Sequence, residues 1–197
     1  MSKNVGRTLA GSSGAPRSNL DFYQTPEQDV KKFLTGSGLV PNVGLVLEPA
    51  AGDGNIVRCL EELRPNAKIV AGDITQREFE LDYVADFLTQ PFKKEVGCVI
   101  TNPPFTHAEA FIRKGLEICN GDVIMLLKLP FLASQSRKDL YDMGHLRELW
   151  VSRSRINCYM PGVATNSTGR RTNSSTMDMG WYVFNRNYKG EPVIKWL

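Results

Sequence analysis

The chain has 197 residues, 42% of them hydrophobic and 23% charged, with a net charge of +3 at neutral pH. That is enough chain for one domain with a substantial core. The longest fully aliphatic run, Val123 to Leu127, is far too short to cross a bilayer, and no apolar stretch follows Lys3 and Arg7 as a signal peptide requires.

Residues 1–19 are rich in Ser, Gly and Asn, which predicts a flexible tail. Thr25-Pro26-Glu27-Gln28 predicts a helix start, with Thr25 as the cap, Pro26 at the first helical position and Gln28 completing a capping box. Val30, Phe33 and Leu34 form the apolar face of that helix, and Gly36 and Gly38 end it. A strand at 44–48 leads through Glu48-Pro-Ala-Ala-Gly-Asp-Gly54 into a helix over about 54–64. Ile56, Val57, Leu60 and Leu63 share one face of it, and Pro65 stops it. A second strand, Ala67 to Ala71, leads to Asp73. A short extended element at Tyr83-Val84-Ala85 ends at Asp86, and the apolar Cys98-Val99-Ile100 run leads to Asn102. Thr106 and Glu109 predict another capping box, opening a helix with Ala108, Phe111, Ile112 and Leu116 inward. Val123 to Leu127 reads as a strand buried on both faces. A helix near 134–143 and a loop-rich stretch at about 152–178 precede late strands at 181–184 and 192–196. That stretch carries Arg153, Arg155, Arg170 and Arg171 and no acid before Asp178, a composition suited to phosphate contacts. Cys59, Cys98, Cys119 and Cys158 are widely spaced and read as free thiols of a reducing compartment.

Strands alternating with helices imply an α/β fold with a parallel sheet covered on both faces. Ligands of such sheets bind beyond the carboxyl ends of the strands. The chemistry-bearing residues fall at those ends. Gly52 and Gly54 let the backbone turn sharply into a helix N-terminus. Only Gly52-x-Gly54 of the dinucleotide fingerprint is present, and an acid, Glu48, opens the motif. A carboxylate there suits an ammonium or a hydroxyl better than a pyrophosphate, which favours a nucleoside cofactor with a cationic amino acid end over NAD. Asp73 lies 19 residues past Gly54, near the spacing at which an acid holds ribose hydroxyls. Asp86 can accept from an adenine amine. In Asn102-Pro103-Pro104-Phe105 the prolines stiffen the turn. The Asn102 side-chain oxygen and the Pro103 carbonyl can then accept both hydrogens of one exocyclic amine. This draws the nitrogen lone pair out of ring conjugation, and Phe105 offers a stacking face for the base. His107 reads as a first-turn helix residue and His145 as surface. Neither has a metal-ligand or nucleophile spacing, and no metal is implied.

At these residues the chain resembles the S-adenosylmethionine-dependent DNA adenine (N6) methyltransferases, in particular small phage-like members. The resemblance covers nearly everything after about residue 20. Asp21-Phe-Tyr-Gln-Thr-Pro26 is similar to the N-terminal cofactor motif, Glu48 to Gly54 to the Gly-rich motif, and Asn102 to Phe105 to the catalytic tetrapeptide. Leu127 to Leu132 and Met179 to Phe184 are similar to later strand motifs, and the motif order resembles the gamma arrangement. The resemblance implies a Rossmann-like class I fold, a mostly parallel seven-stranded sheet flanked by helices. It implies a single catalytic domain over residues 20–197, with a variable basic loop at about 152–178. It implies S-adenosylmethionine as cofactor, held by Phe22, Tyr23, Thr25, Glu48, Ala50, Gly52, Gly54, Asp73, Ile74, Asp86, Phe87 and Asn102. Phe22 or Tyr23 would face the sulfonium. Asn102, Pro103, Pro104 and Phe105 would be catalytic, and Arg153, Arg155, Arg170 and Arg171 would contact nucleic acid. The implied substrate is adenine in DNA, flipped from a duplex or single-stranded. The implied setting is a monomer or weak dimer in the cytoplasm of a bacterial or phage-infected cell, serving restriction-modification or a phage. The chain departs from the pattern in size, with no large target-recognition domain. The same tetrapeptide also serves RNA adenine or guanine amino-methyltransferases and methyltransferases of protein glutamine. A non-catalytic nucleic-acid-binding protein on the same scaffold is the remaining reading.

Overall fold

The computed structural model describes residues 23–42, 44–92, 96–154, 156, 158 and 178–197. The expected tail at 1–19, Phe22, and most of the expected basic loop, including Arg155, Arg170 and Arg171, lie outside the described residues. The strands are β1 (Gly44–Glu48), β2 (Ala67–Asp73), β3 (Tyr83–Val84), β4 (Val96–Thr101), β5 (Cys119–Lys128), β6 (Leu146–Val151), β7 (Met179–Asn185) and β8 (Val193–Trp196). They form one sheet in the order β3-β2-β1-β4-β5-β7-β6-β8. Pairing is parallel everywhere except along β7, which runs antiparallel to both β5 and β6. The helices are α1 (Glu27–Ser37), α2 (Asn55–Leu63), α3 (Ala108–Ile118) and the short α4 (Lys138–Asp142). Among the described residues no helix is long and apolar enough to cross a membrane.

The side-chain period of two along each strand divides the core into two layers. On one face, Val30, Phe33 and Leu34 of α1 and Ile56 and Leu60 of α2 pack on Val46, Ile100, Ile124, Leu126, Trp181 and Val183. On the other, Phe111, Ile112 and Leu116 of α3 and Leu140 of α4 pack on Leu47, Val99, Val123, Met125, Leu127, Tyr182 and Phe184. β5 thus sends alternate residues to both layers, which explains its unbroken apolar run.

Three local expectations are corrected. The sheet has eight strands rather than seven, because β6 was not expected. Its Leu-Arg-Glu-Leu-Trp-Val sequence hides the strand behind charges that fold inward. Glu148 is buried and accepts hydrogen bonds from Trp150 Nε1 at 2.7 Å and Lys195 Nζ at 3.1 Å. Secondly, Thr25 does not cap α1. The helix starts at Glu27 with Pro26 in the cap position and no side-chain cap bond. Thirdly, Thr106 belongs to a 3₁₀ turn, Phe105–His107, that precedes α3, and Glu109 pairs with Arg113 instead of closing a capping box.

The aromatic centre of the first layer carries much of the packing. Trp181 is fully buried and stacks on Phe33 with ring centroids 4.6 Å apart. Its indole N–H has no partner among the described residues. Trp181→Ala should therefore lower stability by about 3–5 kcal/mol through cavity formation. Trp181→Phe keeps an aromatic ring and deletes the unpaired donor, so it should cost under about 1.5 kcal/mol. Urea denaturation of both variants checks this, and equal losses would contradict it.

Candidate active site

A cavity of about 240 Å³ lies across the carboxyl ends of four neighbouring strands. Asp86, Phe87 and Leu88 line it just past β3, Asp73 and Ile74 at the end of β2, Glu48, Pro49 and Ala50 at the end of β1, and Asn102, Pro103 and Pro104 after β4. Strands sit about 4.8 Å apart, so four adjacent ends span roughly 14 Å. That is a trough long enough for an extended nucleoside joined to an amino acid.

Of the Gly-rich turn, Pro49, Ala50, Ala51 and Asp53 line the trough, while Gly52 and Gly54 shape its floor without lining it. Gly52 and Gly54 have φ of 57° and 79°, in the left-handed region that favours glycine. A Cβ on Gly54 would stand 2.2 Å from the Phe79 ring. The turn is strapped to the end of β2. The Gly52 N–H donates to Asp73 Oδ2 at 3.0 Å, and the Ala51 N–H donates to the Gly72 carbonyl at 2.9 Å. Asp73 Oδ1 accepts from the Thr75 N–H at 2.9 Å, so this acid braces the turn as well as facing the cavity. Asp86 Oδ1 accepts from the Leu88 N–H at 2.9 Å.

The trough is acidic. Among the described residues, Glu48, Asp53, Asp73 and Asp86 line it together with one cation, Arg77. Glu48 is 1% exposed, and its Oε2 has no hydrogen-bond partner among the described residues. Burial pushes its carboxyl well above the usual carboxylate range. The nearby Thr101 hydroxyl works against that rise, and the charge of Asp73 adds to it. A ligand that brings an ammonium to this end would restore the charged form and satisfy the orphaned oxygen. S-adenosylmethionine carries such a group, and the residues fit it on this ground.

Asn102 is held in one orientation. Its Nδ2 donates to the Tyr23 carbonyl and to Thr25 Oγ1, each at 3.0 Å, with Cys158 Sγ at 3.9 Å. Its Oδ1 is buried without a partner among the described residues, and Asn102 lines the cavity. An unpaired acceptor is thus held at the trough's edge. Phe105 does not line the trough. It stacks on Tyr23 with centroids 5.7 Å apart, and the Lys128 ammonium lies 4.1 Å from its ring centre.

Of the residues expected from sequence, Tyr23, Thr25, Glu48, Ala50, Asp73, Ile74, Asp86, Phe87, Asn102, Pro103 and Pro104 meet around this one cavity. Arg153 is exposed just past β6, whose carboxyl end lies on the same edge of the sheet. His145 is half-buried rather than on the surface, and its Nδ1 donates to the Tyr188 carbonyl at 3.2 Å. His107 is exposed, occupies the cap position of α3 and lines the cavity. Sequence reasoning missed Gln24, Asn55, Arg77 and His107 as lining residues, and left Asp53 unassigned inside its motif. The Gln24 side-chain amide donates to the Asp53 carboxylate, and Asn55 Nδ2 donates to the Thr25 carbonyl at 2.7 Å. The position of Asn55 at the first turn after a Gly-rich loop was a usable signal. Arg77 sits in an irregular segment with no periodicity to mark it.

No protein-family profile matches the sequence, and no curated protein matches it. Solved structures do. PH1948 from Pyrococcus horikoshii, a candidate RNA methyltransferase, is similar at 17% identity with a TM-score of 0.57, over 87% of this chain and 88% of that one. The methyltransferase subunit of a type I restriction-modification system from Streptococcus thermophilus is similar at 12% identity with a TM-score of 0.61, over 83% of this chain. The chain spans only 44% of that subunit's length. The 23S rRNA methyltransferase ErmE is similar at 17% identity with a TM-score of 0.51, over 85% of this chain and 71% of that one. The mostly parallel sheet and these likenesses agree on one conclusion: the chain has the Rossmann-like methyltransferase fold.

Proposed function

We propose that this protein transfers a methyl group from S-adenosylmethionine to the exocyclic amine of adenine in DNA. The observation that carries the reading is the Asn102 amide: its nitrogen is tied down, and its unpaired oxygen is held at the end of an acidic trough. In this reading Asp86 receives the cofactor's adenine amine, Asp73 a ribose hydroxyl and Glu48 the cationic amino acid end. The cofactor supplies an activated, electrophilic methyl group. Asn102 Oδ1 accepts one hydrogen of the target amine and the Pro103 carbonyl accepts the other, which holds the nitrogen lone pair out of conjugation and aligned for attack. An amide does not take up a proton near neutral pH, so the product's proton leaves to water. A target base in a duplex must be flipped out to reach this site. Arg153 and Lys128, both at the carboxyl edge of the sheet, supply positive charge for the strand. The structural neighbours include both a restriction-modification subunit and RNA methyltransferases, so RNA is the alternative outcome of the test.

Methyl-labelled cofactor incubated with DNA or RNA, followed by digestion to nucleosides, identifies the product. N6-methyldeoxyadenosine is expected, and a product confined to RNA would move the substrate class. Asn102→Ala should keep cofactor affinity within about twofold while turnover falls by at least about a hundredfold, because the acceptor acts mainly in the transition state. Near-normal turnover in that variant would refute the chemistry.

Glu48 gives a pH-dependent test. Its pKa is raised in the folded, ligand-free state, so the folded state holds the proton more tightly than the unfolded chain does. Stability should then fall as pH rises from the ordinary carboxylate pKa toward the raised one. Glu48→Gln removes that loss. The difference in melting temperature, variant minus wild type, should be larger near about pH 8 than near about pH 5. The same variant should bind S-adenosylmethionine more weakly, since a neutral amide does not pair with an ammonium. A pH-independent difference with unchanged affinity would remove Glu48 from the role.

A further inference from the structure

We infer that Thr25 is a positioning residue whose hydroxyl, acting as an acceptor, sets the orientation of the Asn102 amide. The inference rests on the methyl-transfer reading for its consequence in turnover. A side-chain amide has two orientations of nearly the same shape, which exchange an acceptor for a donor. Only one of them offers an oxygen to the cavity. The other would aim an NH₂ group at the hydrogens of the target amine.

The surroundings of Nδ2 decide between them. Its two hydrogens meet the Tyr23 carbonyl and Thr25 Oγ1, both at 3.0 Å. The carbonyl accepts only. A hydroxyl can either donate or accept, so Thr25 would tolerate a flipped amide if its own proton were free to turn toward Oδ1. In the observed state that proton points elsewhere, because Oγ1 itself accepts from Nδ2 at 3.0 Å. A flipped amide would set its oxygen against the Tyr23 carbonyl and would require Thr25 to give up its acceptor role.

Rigid placement supports the role. Thr25 is 4% exposed and precedes Pro26, which holds it extended. Its carbonyl accepts from Asn55 Nδ2 at 2.7 Å. α1 follows at once and is anchored through Val30, Phe33 and Leu34, each fully buried. The hydroxyl that the local sequence suggests for capping α1 is thereby available to a residue 77 positions away.

The test compares wild type, Thr25→Val and Thr25→Ser. Thr25→Val keeps the shape and loses the acceptor. It should lower kcat about tenfold, with KM for the nucleic acid and Kd for S-adenosylmethionine within about twofold. Thr25→Ser should recover kcat to within about twofold of wild type. Exchange of the Asn102 side-chain amide protons, read by NMR with labelled asparagine, should be slow in wild type and Thr25→Ser and faster in Thr25→Val. If Thr25→Val does not fold, Thr25→Ala carries the same comparison. Wild-type kcat and exchange in the acceptor-less variant would overturn the inference. So would a loss of kcat that only tracks a loss of cofactor affinity, which would make Thr25 a cofactor contact. A wild-type protein without turnover would instead sink the methyl-transfer reading, and the amide exchange alone would then decide the role of Thr25.

Discussion

The molecule depends on a reversal in its sheet. From β1 the chain builds outward through β2 to β3, then returns across β1 to lay down β4 and β5. The helix after β1, α2, covers one face of the sheet, and the helix after β4, α3, covers the other. Two neighbouring parallel strands whose connections leave toward opposite faces cannot have their carboxyl ends covered by either connection. The resulting crevice is where Glu48, at the end of β1, and Asn102, after β4, come together. Every other feature of the trough extends this gap outward along β2 and β3.

Within the crevice the protein keeps polar groups unsatisfied. Glu48 Oε2 and Asn102 Oδ1 are buried without partners among the described residues. An orphaned buried polar group costs about 1–3 kcal/mol. Two such acceptors on residues that line one cavity mark the place where an incoming ligand completes the hydrogen bonding. They also differ in kind. Glu48 can hold a proton until a cation arrives, whereas Asn102 has no proton to change and relies on its neighbours to keep it facing the right way. The first suits binding a charged end, and the second suits aligning an amine. The separate handling of the two groups is the physical basis for assigning one to the cofactor and the other to the chemistry.

Much of this was legible in the sequence because strand ends announce themselves. Apolar runs that stop at an acid or at Asn-Pro-Pro located Glu48, Asp73, Asp86 and Asn102, and the structure gathers those four around one cavity. What failed to read correctly shares a cause: a local pattern overridden by a distant partner. The Thr25 and Thr106 patterns both matched capping boxes, yet neither hydroxyl caps its helix, and that of Thr25 serves Asn102. β6 stayed hidden because charge along a strand signals solvent, while here Glu148 turns inward to Trp150 and Lys195. Arg77 enters the trough from an irregular segment that no periodicity could place.

The most direct test of the central claim is a crystal structure with S-adenosylhomocysteine, the demethylated cofactor. The account predicts its adenine beside Asp86 and Phe87, its ribose at Asp73, its amino acid end at Glu48, and its sulfur directed toward the Asn102 side. A nucleoside bound outside the trough, or a sulfur directed away from Asn102, would separate the cofactor from the amine acceptor and contradict the account.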